Sequence, residues 1–73
     1  MTFIKFSMQS MKARMYWLQD VLDNLGYDVP HNGKRDRLTV KSLMEFQKSH
    51  GITPNGVICE RTYDELCNAI DNA

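Results

Sequence analysis

The sequence lacks most of the features that would announce a particular chemistry. Only two cysteines occur in 73 residues, Cys59 and Cys67, too few for a disulfide scaffold. Their eight-residue separation permits one bridge, but free, partly buried thiols are the expected state. Neither sign of charge is in surplus, since nine Lys and Arg balance nine Asp and Glu. Affinity for nucleic acid rests on neutralising phosphates with a basic excess, so no nucleic-acid partner is expected. The one basic cluster, Lys34-Arg35-Asp36-Arg37, reads as a solvated loop. No apolar run reaches the roughly 18 residues of a membrane span, and none is expected. The start of the chain has no basic region followed by an apolar stretch. A secretory signal is therefore not expected in the chain as given, and cytoplasmic synthesis is.

Catalytic and metal-binding patterns are missing as well. His31, His50, Cys59 and Cys67 are residue types that suit zinc, but no Cys-x-x-Cys or His-x-x-x-His pairing brings them together. A Cys–His nucleophilic pair has no activating environment legible in the sequence. Asp20 and Asp23 lie one helical turn apart, the ordinary pattern of a solvated face. No catalytic residue, no metal and no cofactor is therefore expected. The chain reads as a domain that works by contact.

What is present is a folded composition, 42% apolar and 25% charged, close to the average for globular domains. A chain of this size buries about 60% of its unfolded surface and has a stability on the order of 4–10 kcal/mol. That supports three short helices around one core.

The strongest periodic signal is Met8, Met11, Met15, Leu18, Leu22 and Leu25, spaced 3, 4, 3, 4 and 3 along one helical face. Gly26 follows, where a left-handed C-terminal cap belongs. Ser7 and Ser10 both qualify as the N-cap of this helix; Ser10 leaves Met8 as an apolar staple outside it. The methionines, four of them between residues 1 and 15, are expected to fill core gaps. Thr2-Phe3-Ile4-Lys5-Phe6 reads as a short extended arm, so the expected organisation is an arm over 1–9 and one domain over 10–73.

Pro30 and the Asn32-Gly33 turn make residues 27–38 a loop. Thr39 is the expected N-cap of a second helix with Val40, Leu43, Met44 and Phe46 on its apolar side and Gly51 closing it. Thr53-Pro54-Asn55-Gly56 forms another turn, and Val57-Ile58 is a candidate for brief extended pairing. Thr62 and Glu65 have the spacing of a capping box opening a third helix, which buries Leu66, Ala69 and Ile70. The eleven residues between helices at 39–50 and 62–70 are too many for a helix-turn-helix.

Two segments align without gaps. Asn32-Gly33, Thr39 and Leu43 recur as Asn55-Gly56, Thr62 and Leu66 at identical spacing. In each, a turn reverses the chain, Thr is expected to cap the next helix and Leu to enter the core. Around this repeat stand Leu18-Gln19, Leu22, Leu25-Gly26-Tyr27, Phe46-Gln47, Gly51-Ile52, Gly56-Val57 and Thr62-Tyr63. At these residues, over roughly 15 to 66, the sequence resembles the peptidoglycan-binding domain family, small modules attached to bacterial cell-wall hydrolases. The resemblance implies an all-α three-helix bundle with an internal turn–cap–helix repeat. It also implies a non-catalytic module that recognises a peptide stem or amino sugar of peptidoglycan.

Departures lie in the loops. The family's two Asp-Gly pairs are Asn-Gly here, Arg35-Asp36-Arg37 replaces its Phe-Gly-Pro, and Cys59-Glu60 replaces its second Gly-Pro. The expected ligand residues are Tyr27, Asn32, Arg35, Asn55 and Tyr63, aromatic surface plus fixed polar groups. Within this set Arg35 is suited to pair a stem carboxylate bidentately. Trp17, off the apolar stripe, is the expected partner surface. The partners implied are peptidoglycan or a cell-wall hydrolase, with the cell envelope or a phage particle as the destination. The alternative is an intracellular protein–protein interaction domain, adaptor or inhibitor, that keeps the fold without binding wall.

Overall fold

Glycines set where two of the three long helices stop. In a computed structural model, which describes residues 2–72, the stripe from Met15 to Leu22 lies on helix α2 (Met11–Asn24), and Leu25 is its C-cap. The Tyr27 amide then donates to the Leu22 carbonyl at 2.9 Å and the Gly26 amide to Asp23 at 3.0 Å. This pairing is a Schellman motif. Helix α3 (Arg37–Ser49) ends in the same way, with Ile52 donating to Gln47 at 2.8 Å and Gly51 to Lys48 at 3.3 Å. A final helix, α4 (Glu60–Asp71), runs to the end of the described chain. Met1 and Ala73, the outermost residues of the expected arm and domain, lie outside the described residues.

The three long helices enclose a core of Met15, Leu18, Val21, Leu22, Val29, Leu43, Phe46 and Leu66. Burying each of these large side chains stabilises the fold by roughly 1.5–3 kcal/mol. The all-helical bundle agrees with the sequence reading, and Leu43, Phe46 and Leu66 face the core as expected, but Met44 of the expected α3 face is exposed and Val40 only half-buried. Among the described residues no strand occurs, so Val57-Ile58 is loop and does not pair.

Three local expectations are corrected. The arm is not extended: Phe3–Ser7 form a short helix, α1, capped by the Thr2 hydroxyl. Phe6 on α1 is 1% exposed, its ring 4.9 Å from both Trp17 and Tyr63. Met8 and Met11 are not core: Met8 is 81% exposed, because α2 begins only at Met11 after the Ser10 cap and the hydrophobic interior starts one turn further on. Helices α3 and α4 also begin earlier than expected, with Asp36 and Cys59 at their N-caps in place of Thr39 and Thr62. Both threonines are fully buried one turn inside, with a different task.

The two N-caps occupy equivalent places in the repeat but differ in chemistry. Asp36 Oδ1 accepts from the Thr39 amide at 2.9 Å, and that backbone hydrogen bond holds its carboxyl below the usual carboxylate value. A folded-state pKa depressed below 3.8 means the cap's stabilisation is complete above that pH and is lost as pH falls through the folded value. Asp36→Asn keeps an acceptor at the cap, so its stability relative to the parent should rise on acidification below about pH 4. Urea melts at pH 7 and pH 3 check this. Cys59 makes no side-chain hydrogen bond to the backbone of α4. Its thiol lies 3.3 Å from the Thr62 hydroxyl, and the polar groups of Thr62, the side chain first and then the nearby amide, lower its pKa. Cys59→Asp is expected to stabilise the protein by about 0.5–2 kcal/mol, read as an increase in urea midpoint at unchanged slope.

Candidate functional site

The loops that carry the expected ligand residues are built around two buried glutamine amides. Gln19, 0% exposed, accepts at Oε1 from the amides of Asn32 (3.0 Å) and Gly33 (2.9 Å). Its Nε2 donates to Asn32 Oδ1 (2.9 Å), the Lys34 carbonyl (3.0 Å) and Thr39 Oγ1 (3.1 Å). Gln47 repeats the pattern in the second unit. Its Oε1 accepts from the Gly56 amide at 3.0 Å, and its Nε2 donates to Asn55 Oδ1 (3.2 Å), the Val57 carbonyl (2.9 Å) and Thr62 Oγ1 (3.1 Å). A primary amide has two donors and one doubly accepting oxygen, so Gln19 is fully used, while Gln47 uses its donors and accepts once. The loops have no regular ladder of their own, and these amides stand in for one.

This arrangement explains the repeat. Gly33 and Gly56 have φ of +68° and +72°, a region that side chains other than hydrogen rarely enter. Space is short for a side chain too: at Gly33 the Tyr16 ring would have to move, and at Gly56 Val40 would have to give. A Cβ on Gly33 would sit 2.5 Å from the Tyr16 ring, and one on Gly56 would sit 3.0 Å from Val40 Cγ1. Each threonine is the inner anchor that receives the glutamine N–H.

Arg35 ties the two loops together, its Nη2 donating to the Gly56 carbonyl at 2.8 Å. Beside this bond lies a groove of about 330 Å³, lined by Met11, Arg14 and Met15 of α2, Arg35 of the first loop, and Gly56, Val57 and Ile58 of the second. No carboxylate lines it. Among the described residues the acid contacts within 4 Å belong to histidines, His31 with Asp23 at 3.5 Å and His50 with Glu65 at 3.2 Å. Arg14 and Arg35 therefore have no anionic partner among the described residues. Arg14 Nε is buried without any hydrogen-bond acceptor. Buried, unpartnered N–H groups are few in folded proteins.

Of the expected ligand residues, only Arg35 lines this groove. Asn32 and Asn55 are exposed at the surface, but each side chain is engaged within its own loop. Asn32 Oδ1 accepts from the Lys34 amide and Asn55 Oδ1 from the Val57 amide, both at 2.9 Å, in addition to the glutamine bonds. Tyr63 is 3% exposed, so most of the ring expected on a ligand surface is packed inside, and what remains lines a shallow depression beside Trp17. Its ring stacks on Trp17 at 5.1 Å and packs against Phe6, and burial, with the neighbouring Cys67 thiol, pushes its phenol pKa up. Tyr27 is half-buried against the core at the far end of α2, a helix about 20 Å long. Trp17 is half-buried in the aromatic stack and faces a shallow depression with Tyr63, Cys67, Ile70 and Asp71.

Sequence reasoning missed Arg14, and it had both glutamines as motif residues without their role. Arg14 stood in plain sight, because it falls between Met11 and Leu18 at spacings of three and four, a charge on an apolar stripe. Among the described residues no group of three His, Cys, Asp or Glu side chains is placed to hold a metal ion. Both cysteines are free. No helix of the described chain is long and apolar enough to cross a membrane.

The helical bundle, its glutamine-centred loops and its open grooves define a small binding module. The family described as "Putative peptidoglycan binding domain" matches residues 12–66, which is most of the chain, and the protein belongs to that family. Neither a curated protein nor a solved structure matches it.

Proposed function

We propose that the protein is a non-catalytic module that binds bacterial peptidoglycan, using the face where its two Asn-Gly loops meet. One observation carries this reading: the family match spans both repeat units, and the loops it covers are held rigid by Gln19 and Gln47. Loops fixed on a helical scaffold present a pre-organised surface, which lowers the entropic cost of binding. Arg35 is the sequence-predicted ligand residue best placed to act, at the junction of the loops. In this reading the protein delivers a separate wall enzyme, or itself, to the wall.

Co-sedimentation with insoluble peptidoglycan tests the proposal. The parent should pellet with the wall fraction, and Arg35→Ala should stay largely in the supernatant while keeping the parent's circular dichroism. Absence of pelleting across several wall types would sink it. The second reading, a protein partner, has an observation of its own. A groove of about 530 Å³ crosses the outer side of α3, with Val40, Met44 and Pro54 as its apolar floor and Arg37, Lys41 and Lys48, against the single acid Glu45, around it. An acidic segment with apolar anchors suits that chemistry.

A further inference from the structure

We infer that the groove between α2 and the second Asn-Gly loop is a site for the free carboxylate of a short peptide with small apolar side chains. The inference rests on the wall-binding reading for the source of such a peptide, the stem of peptidoglycan, and it selects that stem over the glycan.

Charge carries the first part of the argument. Arg14 and Arg35 line one groove, and no carboxylate lines it with them. Guanidinium groups stay charged at any physiological pH, so two of them on one apolar-walled groove repel each other until an anion arrives. Arg14 Nε is buried with no hydrogen-bond acceptor, so the base of that guanidinium is desolvated without compensation. Among the described residues no side chain or carbonyl forms a hydrogen bond or ion pair with its terminal nitrogens. Arg35 is pinned from the other side, one nitrogen committed to the Gly56 carbonyl and the rest of its fork open. Two positioned guanidinium groups match the two oxygens of a carboxylate, the pairing with the strongest hydrogen bonds available to side chains.

The walls carry the second part. Met11, Met15, Val57 and Ile58 supply apolar surface, and Val57 is among the large hydrophobic residues left exposed. The groove is about 330 Å³, at the small end of the roughly 300–1,000 Å³ range of ligand pockets. Flexible methionine side chains accommodate short alkyl groups without a fixed shape. A sugar ring asks for an aromatic platform, and no aromatic side chain lines this groove. Phe3, Phe6, Trp17 and Tyr63 stack on one another instead.

The test is an amide-shift titration of the full chain with N-acetyl-D-alanyl-D-alanine, as the free acid and as its C-terminal amide, together with wall pelleting. The acid should produce saturable shifts at Gly56, Val57, Ile58 and the Arg14 side chain. The C-terminal amide should bind at least about ten-fold more weakly, as should the acid to Arg14→Gln or Arg35→Gln. Arg14→Lys, which keeps the charge, should recover part of the affinity. No shifts from the acid, equal binding of acid and amide, or shifts centred on α3 would overturn the inference. Wall pelleting that both glutamine variants retain would overturn it too and leave wall binding standing. Groove binding of the acid by a protein that does not pellet would do the reverse: the site stands and the wall reading falls.

Discussion

Gln19→Leu should lower the melting temperature by about 15–30 °C while leaving every helix sequence untouched. Leucine fills most of the volume, so the loss is one of hydrogen bonds. Five contacts to Gln19 disappear. Asn32 and Lys34 are exposed and can turn to water. Gly33 and Thr39 are buried and cannot. A buried polar group left unpaired costs about 1–3 kcal/mol, which puts the net destabilisation at roughly 3–5 kcal/mol. Against a total on the order of 4–10 kcal/mol this leaves a barely folded protein. Each kcal/mol moves the midpoint of a domain this size by about 4–8 °C. Gln19→Glu separates hydrogen bonding from volume. An ionised carboxylate still accepts from the Asn32 and Gly33 amides but faces Asn32 Oδ1 and the Lys34 carbonyl where a donor is required. Burial raises its folded-state pKa, so the variant should be closest to the parent below about pH 4.3 and lose ground as pH rises through the folded value. A Gln19→Leu protein that melts within a few degrees of the parent would show that the loops are held by something other than this amide.

Gln19 and Gln47 also mark the boundary of what the sequence discloses. The helices were legible because Leu18, Leu22, Leu43 and Leu66 recur at helical spacing and because Gly26 and Gly51 follow the last turns of their helices. The repeat was legible as a pattern. Its cause was not, because a glutamine beside an apolar stripe reads as the solvent-facing edge of a helix. The threonines were misplaced for a related reason. Thr62 followed by Glu65 has the spacing of a capping box. In the structure Glu65 turns to His50 at 3.2 Å and Thr62 turns inward to Gln47. A hydroxyl able to cap a helix is equally able to receive a buried N–H, and only the tertiary neighbour decides. The same holds at the site. Arg35 was visible as one charge in a basic loop, but its partner Arg14 lies on another element, and no spacing rule links residues 14 and 35. Tyr63 sat at a motif position that suited stacking on a ligand. It stacks on Trp17 because α1 brings Phe6 over it, and five residues are too few for a helical period to announce such an element.

That short helix leads to the second large effect. Phe6→Ala should destabilise the protein by about 3–5 kcal/mol, as much as a central core truncation, although Phe6 precedes residues 12–66. The ring is 1% exposed, meets Trp17 edge-on with centroids 4.9 Å apart, and packs against Tyr63 at the same distance. Aromatic pairs of this geometry add about 0.5–1.5 kcal/mol to the area they bury. Ile4, on the same helix but 68% exposed, is the control, and Ile4→Ala should change stability by less than about 0.5 kcal/mol. Trp17 is the one tryptophan in the chain and reports directly, because loss of the Phe6 ring opens its edge to water and should red-shift its emission before any unfolding. The groove lined by Arg14 and Arg35 does not include the aromatic stack. Where Phe6→Ala is still folded, it should therefore bind as the parent does. Weakened stability with binding intact would make α1 a clasp that completes the core of the module. Binding lost from a folded Phe6→Ala protein would move the ligand surface to Trp17 and Tyr63, where the sequence first placed part of it.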